Sequence, residues 1–283
     1  MDHSLRSLLD VSSTMLITLY ARAHESRSAA PIIKDDKAVA MIETIKKEIV
    51  GSPNPIHKMI SEERYNRKLA VSMALRCRRF DRYVMDFMRK NPRGTVINLG
   101  CGLDTRFDRI DNGSIRWFDI DFPEVIELRR RFMAESDRRR FLADSILNRG
   151  WVDAARTGGP YLVLAEGVFM YLREKDVRGL LATLHSELGA AELVCEVTNS
   201  YWVDKMRSGY MRWKFKHQLG MTGGAVFTFG VPDARYFERW DPAYRFIDEW
   251  TYFDDNEKKM GWFNLLSRIE VVRKVQWTIH YRI

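Results

Sequence analysis

Cysteine is scarce in this chain: Cys77, Cys101 and Cys195 are the three among 283 residues, widely spaced and never paired as CxxC. An odd, scattered set of thiols indicates neither a disulfide framework nor a zinc site, so all three are expected to be reduced and buried, with no metal bound. Long apolar runs are missing too. No uninterrupted stretch approaches the roughly 20 residues that cross a bilayer, and Asp2, Arg6 and Asp10 crowd the N-terminus too closely for a signal-peptide core. The expectation is a cytoplasmic protein with no membrane partner. Six histidines are scattered along the chain. None stands in an obvious catalytic setting, and His185, in helical surroundings, reads as structural. No repeat or low-complexity segment occurs.

What is present is ample material for a core, with 46% hydrophobic residues, and enough length for one large α/β domain or two small ones. The formal charge of +8 and a pI near 9.4 raise the question of nucleic acid, because clustered Lys and Arg gain affinity by displacing counterions from phosphates. The clusters are Arg129-Arg130-Arg131, Arg138-Arg139-Arg140 and the trio Arg76, Arg78 and Arg79. No recognised nucleic-acid module accompanies them, so they read first as solvated helix faces and second as a basic surface serving acidic small molecules.

The first ninety residues follow helical spacing over Ser12 to Ser26, Asp36 to Val50 and Glu62 to Lys90, with a loop at Gly51 to Pro55 and a stop signal at Asn91 to Gly94. The period then changes. Thr95 to Leu99, Ile115 to Asp119, Arg140 to Ala143, Tyr161 to Ala165 and Leu193 to Val197 are short strand candidates. Helical stretches such as Pro123 to Glu135 and Glu174 to Leu188 separate them, a pattern that predicts βαβ units, a parallel sheet and helices on both faces. Residues 199 to 222 carry Tyr201, Trp202, Tyr210, Trp213 and Phe215 and read either as core packing or as a lid over a pocket. A helix at Asp233 to Trp240, a strand at Arg245 to Phe253 and a last strand at Val271 to Tyr281 complete the pattern. The expected division is a helical cap over 1–92 and an α/β core over 93–283, with a lid or substrate insertion at 199–230.

The chemistry gathers at the ends of the strand candidates. Gly100-Cys101-Gly102 breaks the first one and lets backbone approach a ligand where a Cβ would clash. The dinucleotide fingerprint needs a third glycine, and Thr105 stands in its place. Asp104, early in the next helix, would repel a pyrophosphate and tolerate a cationic ligand such as S-adenosylmethionine; the plainer reading of Asp104 is a helix cap. In RWFDIDFPEV, Asp119 and Asp121 lie about twenty residues past the glycines, where a carboxylate can hold both ribose hydroxyls. Asp121 is the expected ligand because it stands past the strand end, just before Pro123. Asp144 with Ser145 follows the third strand, and Glu166 leaves the fourth where such sheets bind ligands.

LGCGLDTRF, FDIDFPEV, the Ala143-Asp144 pair and AEGVFMYL, in this order and spacing, resemble the leucine carboxyl methyltransferase family, in particular its bacterial polyketide O-methyltransferase branch. The resemblance runs from about residue 14 to 200 and is faint beyond. It implies a class I, Rossmann-like fold with a mostly parallel seven-stranded sheet, a helical cap, an insertion after the fifth strand and S-adenosylmethionine as cofactor. It further implies that Gly100 and Gly102 flank the methionine moiety, Asp121 holds the ribose, and Asp144 with Ser145 meets the adenine. Glu166 then lies beside the amino-acid end, and Arg76, in ALRCRRFDRYV, faces the cofactor carboxylate. Cys101 and Phe122 complete the cofactor-binding set. Either Arg22 or His24 joins Arg76.

A carboxylate acceptor, with a pKa of about 4, is ionised at neutral pH and needs no general base. The expected function is therefore O-methylation of a carboxylate on a small, polyketide-like molecule or a peptide C-terminus, with Tyr171 orienting the acceptor or merely packing in the core. The positive net charge would attract such an acceptor. An RNA methyltransferase and a non-catalytic cofactor-binding protein are the alternatives. Nucleic acid is not the expected partner, because the Asn/Asp-Pro-Pro-aromatic motif of base amino-group methylation is absent after strand four. Thr105 and Asp104 disfavour a nicotinamide dehydrogenase. A homodimer is allowed for, without any residue that requires it.

Overall fold

The computed structural model describes residues 13–64, 66–207 and 227–283. In chain order the elements begin with α1 (Ser13–Ser26), α2 (Asp36–Ile49), α3 (Pro55–Ser61), α4 (Arg67–Lys90), β1 (Thr95–Leu99), α5 (Arg106–Ile110), β2 (Arg116–Asp121), α6 (Pro123–Arg130) and β3 (Arg139–Ala143). They continue with α7 (Gly150–Ala155), β4 (Tyr161–Ala165), a 3-10 turn (Phe169–Tyr171), α8 (Glu174–Leu188), β5 (Ala191–Thr198) and α9 (Ser200–Arg207). A second 3-10 turn (Tyr236–Arg239), β6 (Arg245–Trp250), a 3-10 run (Lys258–Arg268), α10 (Glu270–Arg273) and β7 (Gln276–Arg282) follow. Among the described residues, seven strands form one sheet in the order β3-β2-β1-β4-β5-β7-β6. β7 runs antiparallel to both of its neighbours, β5 and β6, while the pairs β2–β3, β1–β4 and β4–β5 are parallel. This is the mostly parallel sheet that the alternating strands and helices predict, in the seven-stranded Rossmann-like form that the family resemblance implies.

The chain divides into two compact units, residues 1–93 with 101–145, and residues 94–100 with 146–283. In the first, α1 and α2 pack their apolar faces, with Leu16, Leu19, Ile42 and Ile45 fully buried alongside Leu103, Ile126 and Phe141. Local chemistry explains the helix starts. Asp35 accepts the Ala38 N–H and opens α2, Asn54 with Pro55 opens α3, and Asn66 accepts from Lys68 and Leu69 to open α4. In the second unit β1 and β4 are buried along their whole length, as strands covered on both faces require.

Several expected boundaries move. The long helix begins at Arg67 rather than Glu62, because Asn66 caps it and Glu63 sits at a left-handed φ of 53°. The helix from Pro123 stops at Arg130, and the expected helix at Asp233 to Trp240 is only a 3-10 turn. Residues 270–273 are helical before β7 begins at Gln276. The short helices α3 and α7 and the 3-10 run at Lys258–Arg268, kinked at Gly261, carry too few turns to show a period. The expected insertion at 199–230 is helical at Ser200–Arg207, and its residues 208–226, including Tyr210, Trp213 and Phe215, lie outside the described residues.

The largest correction concerns charge. Arg129 is 1% exposed, Arg139 2% and Arg76 7%, so these three do not belong to solvated faces, whereas Arg130, Arg131 and Arg140 do. Each buried arginine therefore subtracts from the surface positive charge that suggested nucleic acid. The three cysteines are free and buried, as expected. No helix among the described residues is long and apolar enough to cross a membrane.

Candidate functional site

The turn that follows β1 is held peptide by peptide. Gly100 takes a left-handed φ of 61°, and a Cβ there would lie 2.6 Å from Val168 Cγ2, so a side chain is excluded both by conformation and by space. In the first unit the Cys101 N–H donates to Ile120 O at 3.2 Å, and the Asp104 N–H donates to Cys101 O at 3.0 Å. The Gly102 N–H donates to Asp121 Oδ2 at 2.8 Å. The carbonyls are held as well. Arg129 Nη1 donates to Gly102 O at 2.9 Å and Arg22 Nη2 to Leu103 O at 2.7 Å.

Asp121 is the last residue of β2, not a residue beyond the strand as its sequence position suggested. Its other oxygen, Oδ1, accepts the Phe122 N–H at 2.8 Å. Burial pushes its pKa above the ordinary aspartate value, and the two backbone N–H donors only partly offset that. Each carboxylate oxygen takes one backbone donor and keeps acceptor capacity for another, which fits a diol ligand. The Asp144 N–H donates to Asp121 O at 3.0 Å, and Asp144 Oδ1 accepts the Ser145 N–H at 2.8 Å. The ends of β2 and β3 thus bring Asp121 to Gly102, and Asp144, followed by Ser145, to Asp121. Phe122 leaves its ring 58% exposed.

Of the two N-terminal basic residues, Arg22 is the one that touches the glycine turn. It is buried and paired with Asp35 at 3.0 Å, while His24 is exposed with its ring edge-on to Tyr20. Arg76 is buried in α4. Cys101 is buried, and burial pushes its thiol well above the usual range, which removes it as a nucleophile. Asp104 belongs to the local turn: Oδ1 accepts the Arg106 N–H at 2.9 Å and Oδ2 pairs with Arg106 Nη1 at 2.5 Å. Its charge is thereby paired, and it stands one residue before Thr105, the N-cap of α5, so it is neither inside the helix nor its cap as the sequence suggested.

In the second unit Glu166 leaves the end of β4 half-buried, followed by Gly167 at a φ of 69°. Tyr171 ends the 3-10 turn, 44% exposed, with its ring edge against Phe227 at 5.5 Å between centroids. The segment after Phe227 is tied to the same turn, the Thr228 N–H donating to Met170 O at 2.8 Å. His185 packs edge-on to Tyr244, as a structural histidine does.

Sequence reasoning missed a buried ionic network in the first unit. Asp35 Oδ2 accepts from Arg22 Nε, Arg109 Nη1 and Thr105 Oγ1, at 3.0, 3.0 and 2.6 Å. Asp81 accepts from Arg106 and Arg109. Asp119 is fully buried and accepts from Arg129 at 2.7 Å, Arg139 at 3.2 Å and Trp117 Nε1 at 2.9 Å. One signal was available: Ile126, Arg129 and Met133 recur at helical spacing, which places Arg129 on the buried side of α6.

Residues 15–185 match the family described as leucine carboxyl methyltransferase. The chain is 31% identical over 248 residues to the tetracenomycin polyketide synthesis O-methyltransferase TcmP of Streptomyces glaucescens, covering 87% of this chain and 85% of that protein. It is 30% identical over 191 residues to the S-adenosyl-L-methionine-dependent methyltransferase dpfgK of Gibberella zeae, covering 64% of this chain and 62% of that one. A solved structure of a DUF574 family protein from Streptomyces avermitilis has a similar fold, with a TM-score of 0.56 at 14% identity over 84% of this chain and 95% of that one.

Proposed function

This chain belongs to the leucine carboxyl methyltransferase family, and on that premise we propose that it methylates an oxygen of a carboxylate on a small, polyketide-like molecule. As a member of that family it is a methyltransferase dependent on S-adenosylmethionine, whose sulfonium supplies an electrophilic methyl group. The observation that carries the acceptor class is the 31% identity, over 87% of this chain, to a polyketide O-methyltransferase. A carboxylate acceptor has a pKa of about 4 and arrives ionised, so the protein's work is to align it and exclude water.

The residue roles follow the family pattern and the local geometry. Asp121 accepts the ribose hydroxyls, with its two oxygens already fixed by the Gly102 and Phe122 amides. Asp144 with Ser145 meets the adenine. Gly100, Cys101 and Gly102 present backbone to the methionine moiety, and Glu166 binds its amino end. Arg76 and Arg22 hold its carboxylate; the placement of Arg22 against Leu103 O supports Arg22 over His24. Tyr171 orients the acceptor, an assignment supported by its exposed ring. The reading keeps the protein in the cytoplasm and assigns the helical cap to residues 1–92 and the methyltransferase core to 93–283.

Two measurements test this. S-adenosylhomocysteine at 100 times its dissociation constant should stabilise the fold by about 2.7 kcal/mol, a clear rise in melting temperature, while NAD should not. Absence of a shift would end the cofactor assignment. Radiolabelled methyl transfer to a panel of aromatic and polyketide carboxylic acids, with their methyl esters as blanks, tests the acceptor. Equal labelling of acids and blanked esters would remove the carboxylate reading.

A further inference from the structure

We infer that Arg129 is a positioning residue for the cofactor, acting through the carbonyl of Gly102 while itself standing behind the turn. The guanidinium is 1% exposed and forked between two acceptors, with Nη1 on Gly102 O at 2.9 Å and Nη2 on Asp119 Oδ2 at 2.7 Å. Asp119, fully buried at the middle of β2, is anchored in turn by Trp117 Nε1 and Arg139 Nε. The planar fork fixes both distances at once, which a point charge on a flexible stem cannot do. The guanidinium also lies 5.1 Å from the centre of the Phe141 ring, which limits its other orientations.

What the fork fixes is the peptide orientation at Gly102. This glycine sits at a φ of 49°, in a region where glycine alone moves freely, so its conformation needs an external restraint. Its N–H reaches Asp121 at 2.8 Å, and its carbonyl reaches Arg129. Loss of the carbonyl restraint frees the residue to rotate and takes the amide away from Asp121. The carboxylate proposed to hold the ribose then loses one of its two backbone supports. Arg129 and Asp121 thus bind opposite ends of one residue, and the arginine decides where the carboxylate's donor points. Charge acts in parallel, because the Arg129 guanidinium also favours the ionised form of Asp121.

The inference rests on the cofactor reading above, and the two fail separately. Calorimetric titration of the purified full chain with S-adenosylhomocysteine, from pH 4.5 to 8 as a test range of about that width around the carboxylate and neutral region, is done on the wild type, R129K and R129M. Wild type that does not bind refutes the cofactor reading itself. Given binding, R129K should keep the pH profile, because the charge remains, and lose about tenfold or more in affinity, the equivalent of about 1.4 kcal/mol, because one ammonium cannot span both acceptors. R129M should lose at least as much, and its acid-side loss of binding should move to higher pH as Asp121 becomes harder to ionise. Wild-type affinity in R129K, or an R129M whose pH profile does not move, overturns the inference. If R129K does not fold, Asp119→Asn tests the same fork from its other end. A folded Asp119→Asn with wild-type affinity overturns the inference equally.

Discussion

The amide of Gly102 donates to Asp121 Oδ2 at 2.8 Å, across nineteen positions of sequence, and joins the glycine turn to the end of β2. The glycine turn and the carboxylate proposed to accept the ribose hydroxyls are therefore held together. Asp121 carries the raised pKa of a group that burial makes harder to ionise. The Gly102 and Phe122 amides, one on each oxygen, partly offset that burial.

Asp121→Ala should cost roughly 1.5–3 kcal/mol of S-adenosylhomocysteine affinity for each charge-assisted bond lost, with the fold intact. Calorimetry paired with far-UV circular dichroism checks this. Unchanged affinity in a folded variant would remove Asp121 from the site.

Gly100→Ala should destabilise the second unit and weaken cofactor binding. A left-handed φ of 61° costs a non-glycine residue about 1–2 kcal/mol, and the new Cβ would meet Val168 Cγ2 at 2.6 Å. Pairing it with Val168→Ala relieves the clash and leaves the backbone strain. The double variant should recover only part of the melting temperature, and full recovery would mean that φ is not a constraint there.

Asp35→Ala should be among the most damaging single substitutions outside the site. It strips the shared acceptor from Arg22 and Arg109, both nearly buried, and the cap from α2. Breaking a buried ion pair by removing one partner costs about 3–5 kcal/mol, read as a lower urea midpoint. Burial raises the Asp35 pKa, but the Arg22 and Arg109 guanidiniums outweigh it and leave the value lowered. The stability it contributes is therefore present above the unfolded value of about 3.9 and is lost as pH falls through the lower folded value. Asp35→Ala should flatten that acid limb of the stability curve.

His280 should make stability fall as pH rises above the ordinary histidine value of 6.5. Its Nε2 lies 3.0 Å from Glu192 Oε2 and its Nδ1 3.7 Å from Asp248 Oδ2. Burial disfavours the imidazolium, yet the carboxylates of Asp248 and Glu192, the latter hydrogen-bonded to Nε2, outweigh burial and raise the pKa above 6.5. With the folded value above the unfolded one, the contribution is complete below pH 6.5 and disappears as pH rises through the folded value. Melting temperatures of wild type and His280→Gln should converge above that value and separate below it. Parallel curves would rule out the coupling.

The strand ending in Gly100-Cys101-Gly102, the alternation of strands with helices and the carboxylates at strand ends were legible in the chain itself. Each depends on φ/ψ preference, hydrophobic period or spacing inside a window of a few residues, which sequence carries directly. The partners of Arg129 and Arg139 and the hub at Asp35 were not legible. Arg22 reaches a carbonyl 81 positions away, and Asp35 meets Arg109 across 74. A local window cannot assign such partners: helical spacing turns Arg129 to the buried side of α6 but does not say that Asp119 meets it there. Only folding, which takes the solvent away and brings a carboxylate to the guanidinium, decides which arginines stay on the surface and which hold the glycine turn in place.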